Sequence, residues 1–242
     1  MGFIQNILLI VINAVSFMKA LLLFITLTSN VGLLVAKTHD VIVSSNVFTP
    51  NSLQIEAGDT VRWTNTGGGH NVRASDGSFR CAEGCDAEGG NGNPSSTLWS
   101  FEVTFRTLGT TAYICEPHID FGMQGSVTVV EPTTVAVHEV HATTNNGFEP
   151  SDLSIQRGDV VHFINDGGEH NINSSDDSLI CSEGCLGDGT NTDNEPTGFG
   201  WDVYVRFNQI EEIPYFCAAH EISGSPGIIH VITDTLFASG FE

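Results

Sequence analysis

Basic side chains are scarce, with 8 Lys and Arg set against 29 Asp and Glu in 242 residues, for a formal net charge of -21. So acidic a chain lacks the positive footprint that neutralises phosphates, which excludes nucleic acid as a partner. Long apolar runs are also missing beyond the first segment. Nothing after residue 36 approaches the roughly 20 apolar residues of a spanning helix, so any membrane role belongs to the N-terminus. Nor does any later stretch hold a helical period over 11 residues. Apolar content itself is not lacking: 40% hydrophobic and 15% charged is a globular composition, not a disordered one.

The apolar segment runs from Met1 to Ala36. Within it Met18-Lys19 gives a positive start, an apolar middle follows, and Ala36 is a small residue at the end, which is the layout of a secretory signal. Residues 1-36 are therefore expected to be removed, with Met18 an alternative start and an uncleaved anchor the alternative fate. Export would deliver a secreted or periplasmic protein with no membrane association after signal removal. The remainder suits two domains of about 100 residues each. The tail 235-242, beginning at Thr235, resembles short C-terminal tails of some secreted bacterial proteins.

The chain repeats itself. FTPNSLQIEAGDTVRWTNTGGGHNV, from Phe48 to Val72, returns as FEPSDLSIQRGDVVHFINDGGEHNI, from Phe148 to Ile172. Cys81 and Cys85 return as Cys181 and Cys185; after a longer loop Trp99 meets Trp201, Cys115 meets Cys217 and His118 meets His220. The duplication sets the domains at 37-131 and 135-234. The linker Glu131-Pro132-Thr133-Thr134 is short, so the domains are expected to sit close together.

Each copy reads as all-β. Trp99, Phe101, Val103 and Phe105 alternate with polar residues, the period of a half-buried strand, and Trp201, Val203, Val205 and Phe207 repeat it. Short strands with frequent Gly, Asn, Asp and Ser turns predict two tandem Greek-key β-sandwiches.

Chemistry concentrates between Tyr113 and Met123, together with His70. One thiolate, two imidazoles and one thioether form a soft, mixed donor set, the combination that binds copper in a trigonal site with a long axial Met. A zinc half-site would prefer more thiolates and would not use Met, and a nucleophile with its base would need a third orienting residue that cannot be nominated.

With these residues in view, the sequence resembles the plastocyanin-like blue (type 1) copper proteins of the cupredoxin superfamily. The resemblance covers both repeats through the Phe-x-Pro opening, Gly-Asp-x-Val-x-Trp/Phe, Gly-His-Asn-Val and Cys-x2-His-x4-Met. It implies a cupredoxin-like fold in each copy and His70, Cys115, His118 and Met123 as copper ligands. The second copy keeps His170, Cys217 and His220 but has Ser225 where Met123 stands. Three equatorial ligands can hold copper without a thioether, so one or two copper ions are implied. Glu169 or Glu221 is a candidate oxygen donor, and a degenerate site is the alternative. The two centres are therefore not expected to be redox twins.

Cys81, Cys85, Cys181 and Cys185 are read as two local disulfides in an oxidising compartment, with a thiolate metal site or cross-domain pairing as alternatives. His39 and His138 are expected just before the first strands, and with His141, His162 and His230 to be solvated.

The function implied is a one-electron carrier with a redox protein partner, not an enzyme. Copper enzymes built from duplicated cupredoxin domains place a His beside the blue-copper Cys and carry His-x-His pairs. Here Cys115 lies between Ile114 and Glu116, and no His-x-His occurs. Copper storage or delivery is the alternative that fits the same ligands.

Overall fold

The computed structural model describes residues 36-144, 147-190, 195-198, 200-220 and 226-233. The expected signal segment up to residue 35, Glu221, Ser225 and the tail lie outside the described residues. No helix of the described residues is long and apolar enough to cross a membrane.

In the first repeat the strands are β1 (Thr38–Ser44), β2 (Val47–Thr49), β3 (Ser52–Glu56), β4 (Thr60–Asn65), β5 (Val72–Ala74), β6 (Arg80–Ala82), β7 (Gly84–Cys85), β8 (Trp99–Thr104), β9 (Gly109–Ile114) and β10 (Gln124–Val130). They form one sheet in the order β2-β1-β4-β8 and another in the order β3-β10-β9-β5-β6-β7. Parallel pairing of β1 with β4 and of β3 with β10, among otherwise antiparallel neighbours, is the crossing pattern of a Greek key.

The second repeat follows with β11 (Val137–Ala142), β12 (Phe148–Glu149), β13 (Asp152–Gln156), β14 (Val160–Asn165), β15 (Ile172–Ser174), β16 (Ile180–Cys181), β17 (Asp202–Arg206), β18 (Glu212–Phe216) and β19 (Gly227–Ile232). Its sheets run β12-β11-β14-β17 and β13-β19-β18-β15-β16. The described residues are thus nearly all-β, two cupredoxin-like sandwiches in tandem whose strands are joined by loops and a few short 3-10 turns.

Alternation drives the layers apart from solvent. In β8, Trp99, Phe101 and Val103 are buried while Ser100 and Glu102 are exposed, so one face joins the core and the other stays wet. The first core centres on the fully buried Trp63, which stacks on Phe101 at 5.3 Å and meets Tyr113 edge-on at 5.4 Å. In the second, Phe163 takes the place of Trp63 and meets Tyr215 edge-on at 5.7 Å. Two disulfides, Cys81–Cys85 and Cys181–Cys185, close the short loops expected from their spacing.

The repeats share a seam. Val160 and Tyr204 of the second copy belong to the buried cluster of the first. Arg106, just after β8, donates from Nε to both carboxylate oxygens of Asp188 at 2.9 and 2.7 Å. The Thr104 amide donates to the Asp188 carbonyl at 3.0 Å, and that of Tyr204 to the Arg106 carbonyl at 2.9 Å. Asp188 is 3% exposed, and burial pushes its carboxyl above the usual range although Arg106 opposes the shift.

Removing Arg106 strands a buried carboxylate, which costs about 3 kcal/mol or more. Urea unfolding of Arg106→Met is expected to show that loss, and adding Asp188→Leu should recover much of it. An Arg106→Met protein as stable as its parent would remove the ion pair from the seam.

Candidate metal centre

Strand register assembles the first group. Antiparallel β5 and β9 align Arg73 with Ile114 and Ala74 with Tyr113. Continued past the strand ends, that register sets Asn71 opposite Glu116 and brings His70 beside the loop that begins at Cys115. The Glu116 amide donates to Asn71 Oδ1 at 2.9 Å, which fixes the crossing. His70 is held separately by a two-bond bridge to Ser95, its amide and carbonyl pairing with Ser95 at 3.1 and 3.0 Å.

The loop from Cys115 to Met123 is closed by its own backbone. A 3-10 turn spans Glu116–Phe121, with Pro117 at its start, where no amide donor is needed, and Gly122 at φ 79°, left-handed, at its end. The Cys115 amide donates to the Met123 carbonyl at 3.1 Å, and the Met123 amide to the His118 carbonyl at 3.2 Å. Met123 is therefore fixed opposite Cys115, and it is 1% exposed.

His70, Cys115 and His118 come together, their ligand atoms all within 4.8 Å of one another. The Cys115 sulfur lies 3.6 Å from His70 Nδ1 and 3.3 Å from His118 Nδ1, so both imidazoles turn the same nitrogen to the thiol. On its other side, His70 Nε2 faces Gly68, whose φ of 99° and missing side chain leave room that a Cβ would fill at 2.5 Å. His70 and Cys115 are buried and His118 is partly exposed.

The second group repeats the plan. His170, Cys217 and His220 also have ligand atoms within 4.8 Å of one another. The His170 backbone pairs with Thr197 at 3.0 and 3.1 Å, and the Ala218 amide donates to Asn171 Oδ1 at 2.9 Å. His220 Nδ1 is 3.3 Å from the Cys217 sulfur. Trp201 adds a hold of its own, its indole N–H donating to the His170 carbonyl at 3.1 Å. The peptide oxygen of Glu169 lies 3.7 Å from the Cys217 sulfur.

Both groups suit a soft metal ion. Cys115 and Cys217 are buried and free, outside the disulfides. Both ring nitrogens of His170 are buried without a hydrogen-bond partner, a state that costs about 1–3 kcal/mol per group and that coordination would relieve at one of them. Burial, and then the neighbouring ring, hold His70 and His170 below the ordinary histidine pKa, which favours the neutral, metal-binding form. Burial pushes the Cys115 thiol up. Glu116 falls below the usual carboxylate range: its burial opposes ionisation, and hydrogen bonds from Arg80 and Asn71 outweigh it.

The remaining histidines correct one expectation. His39 and His138 lie inside β1 and β11 rather than before them, and each ring bonds a carboxylate, Asp59 and Asp159, at 2.9 Å. His162 is not simply solvated, for it stacks on Tyr204 at 3.9 Å and bonds Asp202 at 2.8 Å. His141 and His230 pair with acidic neighbours, Asp166 at 3.1 Å and Glu212 at 3.3 Å. Among residues the sequence reading passed over, Asn71 and Asn171 sat in plain view inside the repeated His-Asn motif. Ser95 and Thr197 carried no such signal.

Copper binding proteins of the plastocyanin/azurin family match residues 37–130 and again residues 135–232. The chain belongs to that copper-binding family, whose domain it carries twice. Plastocyanin from Scenedesmus fuscus is 36% identical over 84 residues, covering 34% of this chain and 86% of that protein. Halocyanin from Natronomonas pharaonis is 37% identical over 87 residues, 34% of this chain and 47% of the other. Among solved structures, oxidized plastocyanin from Dryopteris crassirhizoma aligns with 38% of this chain and 100% of that one, at 25% identity and a TM-score of 0.28.

Two measurements follow from the cysteines. Thiol labelling of the denatured, unreduced, metal-free protein is expected to find two thiols, Cys115 and Cys217; six would overturn both disulfides. Because Cys115 holds its proton in the metal-free fold, a thiophilic ion bound there must displace about one proton near neutral pH. Affinity should therefore fall as pH drops, and His70, with its depressed pKa, should begin to compete only below the ordinary histidine range near about 6.5. A pH-stat titration during loading checks this, and the absence of proton release would remove Cys115 from the donors.

Proposed function

We propose that this protein carries single electrons on two copper centres. His70, Cys115, His118 and Met123 would hold the first ion, and His170, Cys217 and His220 the second. The observation that carries this reading is the repetition, in both sandwiches, of a buried free cysteine flanked by two imidazoles. Copper bound there supplies a one-electron couple.

The chain supplies the rest. Main-chain bonds from His70 to Ser95 and from Cys115 to Met123 hold the donors independently of the ion, so a change of its charge moves them little. Burial of His70, Cys115 and Met123 keeps water away, while partly exposed His118 offers a ring edge through which an electron enters or leaves. Ile119 and Phe121 follow it at 38% and 75% exposure, an apolar rim suited to brief docking of a redox protein partner. In the second centre Ser225 aligns with Met123, and the position of the Glu169 peptide oxygen supports that oxygen, rather than the Glu169 carboxylate, as the added donor. Two disulfides support an oxidising compartment, secreted or periplasmic.

The test is the visible spectrum and copper content of the loaded protein. Two copper ions per chain and a thiolate-to-Cu(II) band are expected. Cys115→Ser should remove the first centre's share of that band and leave the metal-free fold intact by circular dichroism, because the thiolate is the chromophore, while Ser, close to Cys in size, keeps its buried place in the first core and its backbone bonds to Met123 and His118. An undiminished band in Cys115→Ser would overturn the assignment.

A further inference from the structure

Around the first group lies a set of charges that the second repeat does not reproduce. Glu116 directly follows Cys115, and its Oε2 accepts from Arg80 Nε at 2.9 Å, from Arg80 Nη2 at 2.8 Å and from Asn71 Nδ2 at 2.6 Å. Arg73 Nη1 stands 3.9 Å from Oε1 of the same carboxylate. Arg80 adjoins the disulfide residue Cys81, and its other donors reach Asp86 Oδ2 at 3.1 Å and Asn93 Oδ1 at 3.0 Å.

The circuit then closes. Asp86 Oδ1 accepts the Gly92 amide at 2.7 Å, and the Gly92 carbonyl accepts from Asn71 Nδ2 at 3.0 Å. Asn71 adjoins His70, and Glu116 adjoins Cys115, so the disulfide-bearing insertion grips the backbone beside two of the three grouped residues. In the second repeat the aligned positions are Ile180 for Arg80, Ala218 for Glu116, Asn173 for Arg73 and Leu186 for Asp86. The scaffold is duplicated without its charges.

Arg80 is only 27% exposed at its side chain and Glu116 28%, so solvent screens the pair less than it would a free surface pair. A carboxylate one residue from a metal-bound thiolate favours the more positive oxidation state of the metal, and a guanidinium held against it cancels that bias. A planar fork that serves Asp86, Asn93 and Glu116 at once is a geometry that Lys cannot match.

We propose that Arg80 is a positioning residue for the first centre. It fixes Glu116, and through it the peptide after Cys115, and it neutralises a carboxylate that would otherwise act on the thiolate, so that the Arg80–Glu116 pair sets this centre's reduction potential apart from that of the second. This inference rests on the reading of His70, Cys115 and His118 as copper donors.

The experiment uses the full chain carrying Cys217→Ser, so that any thiolate–copper band belongs to the first centre. Redox titration of that band is expected to move to lower potential in Arg80→Met, which leaves Glu116 facing only the more distant Arg73, and to higher potential in Glu116→Gln, which leaves Arg80 with Asp86 as its one remaining carboxylate. Opposite signs are the signature, since mere loosening of the loop would shift both the same way. Arg80→Lys, keeping the charge without the fork, should restore most of the potential. Shifts of equal sign, or none in a protein that retains its band, would overturn the proposal while leaving the ligand reading intact. A Cys217→Ser parent with no band would instead defeat the ligand reading. The positioning role is then decided in the metal-free chain, where Arg80→Met should speed amide exchange at Glu116 several-fold; an unchanged rate there overturns it.

Discussion

The pairing of β5 with β9, and of β15 with β18 in the second repeat, is the constraint on which the two His-Cys-His groups depend. A β-ladder has a fixed register, so aligning Arg73 with Ile114 determines what lies beyond the strand ends. Asn71 reaches the Glu116 amide and His70 reaches the Cys115 sulfur, across 45 residues of sequence. The second repeat uses the same device, with Asn173 opposite Phe216 and Asn171 against the Ala218 amide. A slip by one residue would turn His70 away from Cys115 and expose the buried side of each strand.

Duplication preserved the frame and let its surroundings diverge. The backbone bridges beside His70 and His170, the bare glycines at Gly68 and Gly168 and the short disulfide loops recur. Trp63 gives way to Phe163, and the charges around Glu116 have no counterpart. The copies also stopped being independent, because Asp188, just past the second disulfide, is buried against Arg106 and Tyr204 enters the first core. One sandwich thereby completes the packing of the other.

Local signals made much of this legible. The alternation from Trp99 to Val103 identified a half-buried strand because neighbouring side chains on a strand point to opposite faces. Cys115, His118 and Met123 lie within one loop, so their spacing is nearly their geometry, and Cys81 with Cys85 pair across so few residues that sequence alone proposes the bond. The partners of Arg80 were not legible in this way. Its contact with Glu116 spans 36 residues, and that of Arg106 with Asp188 spans 82; an exposed-looking charge carries no mark of the partner that folding will bring. His39 was misread for the same reason, since its partner Asp59 arrives from 20 residues away and draws the ring into the strand layer.

By itself the sequence determined the β class, the duplication and the residues proposed as donors, because each rests on residue type and near-neighbour spacing. The tertiary structure decided which histidine nitrogens face the sulfur, which carboxylate stands beside Cys115 and is neutralised there, and how the two repeats lock together. Those outcomes belong to register and burial. Sheet pairing sets side chains from distant segments within a few ångströms of one another, and removal of water then makes each such contact decide a charge, a bond or a cost.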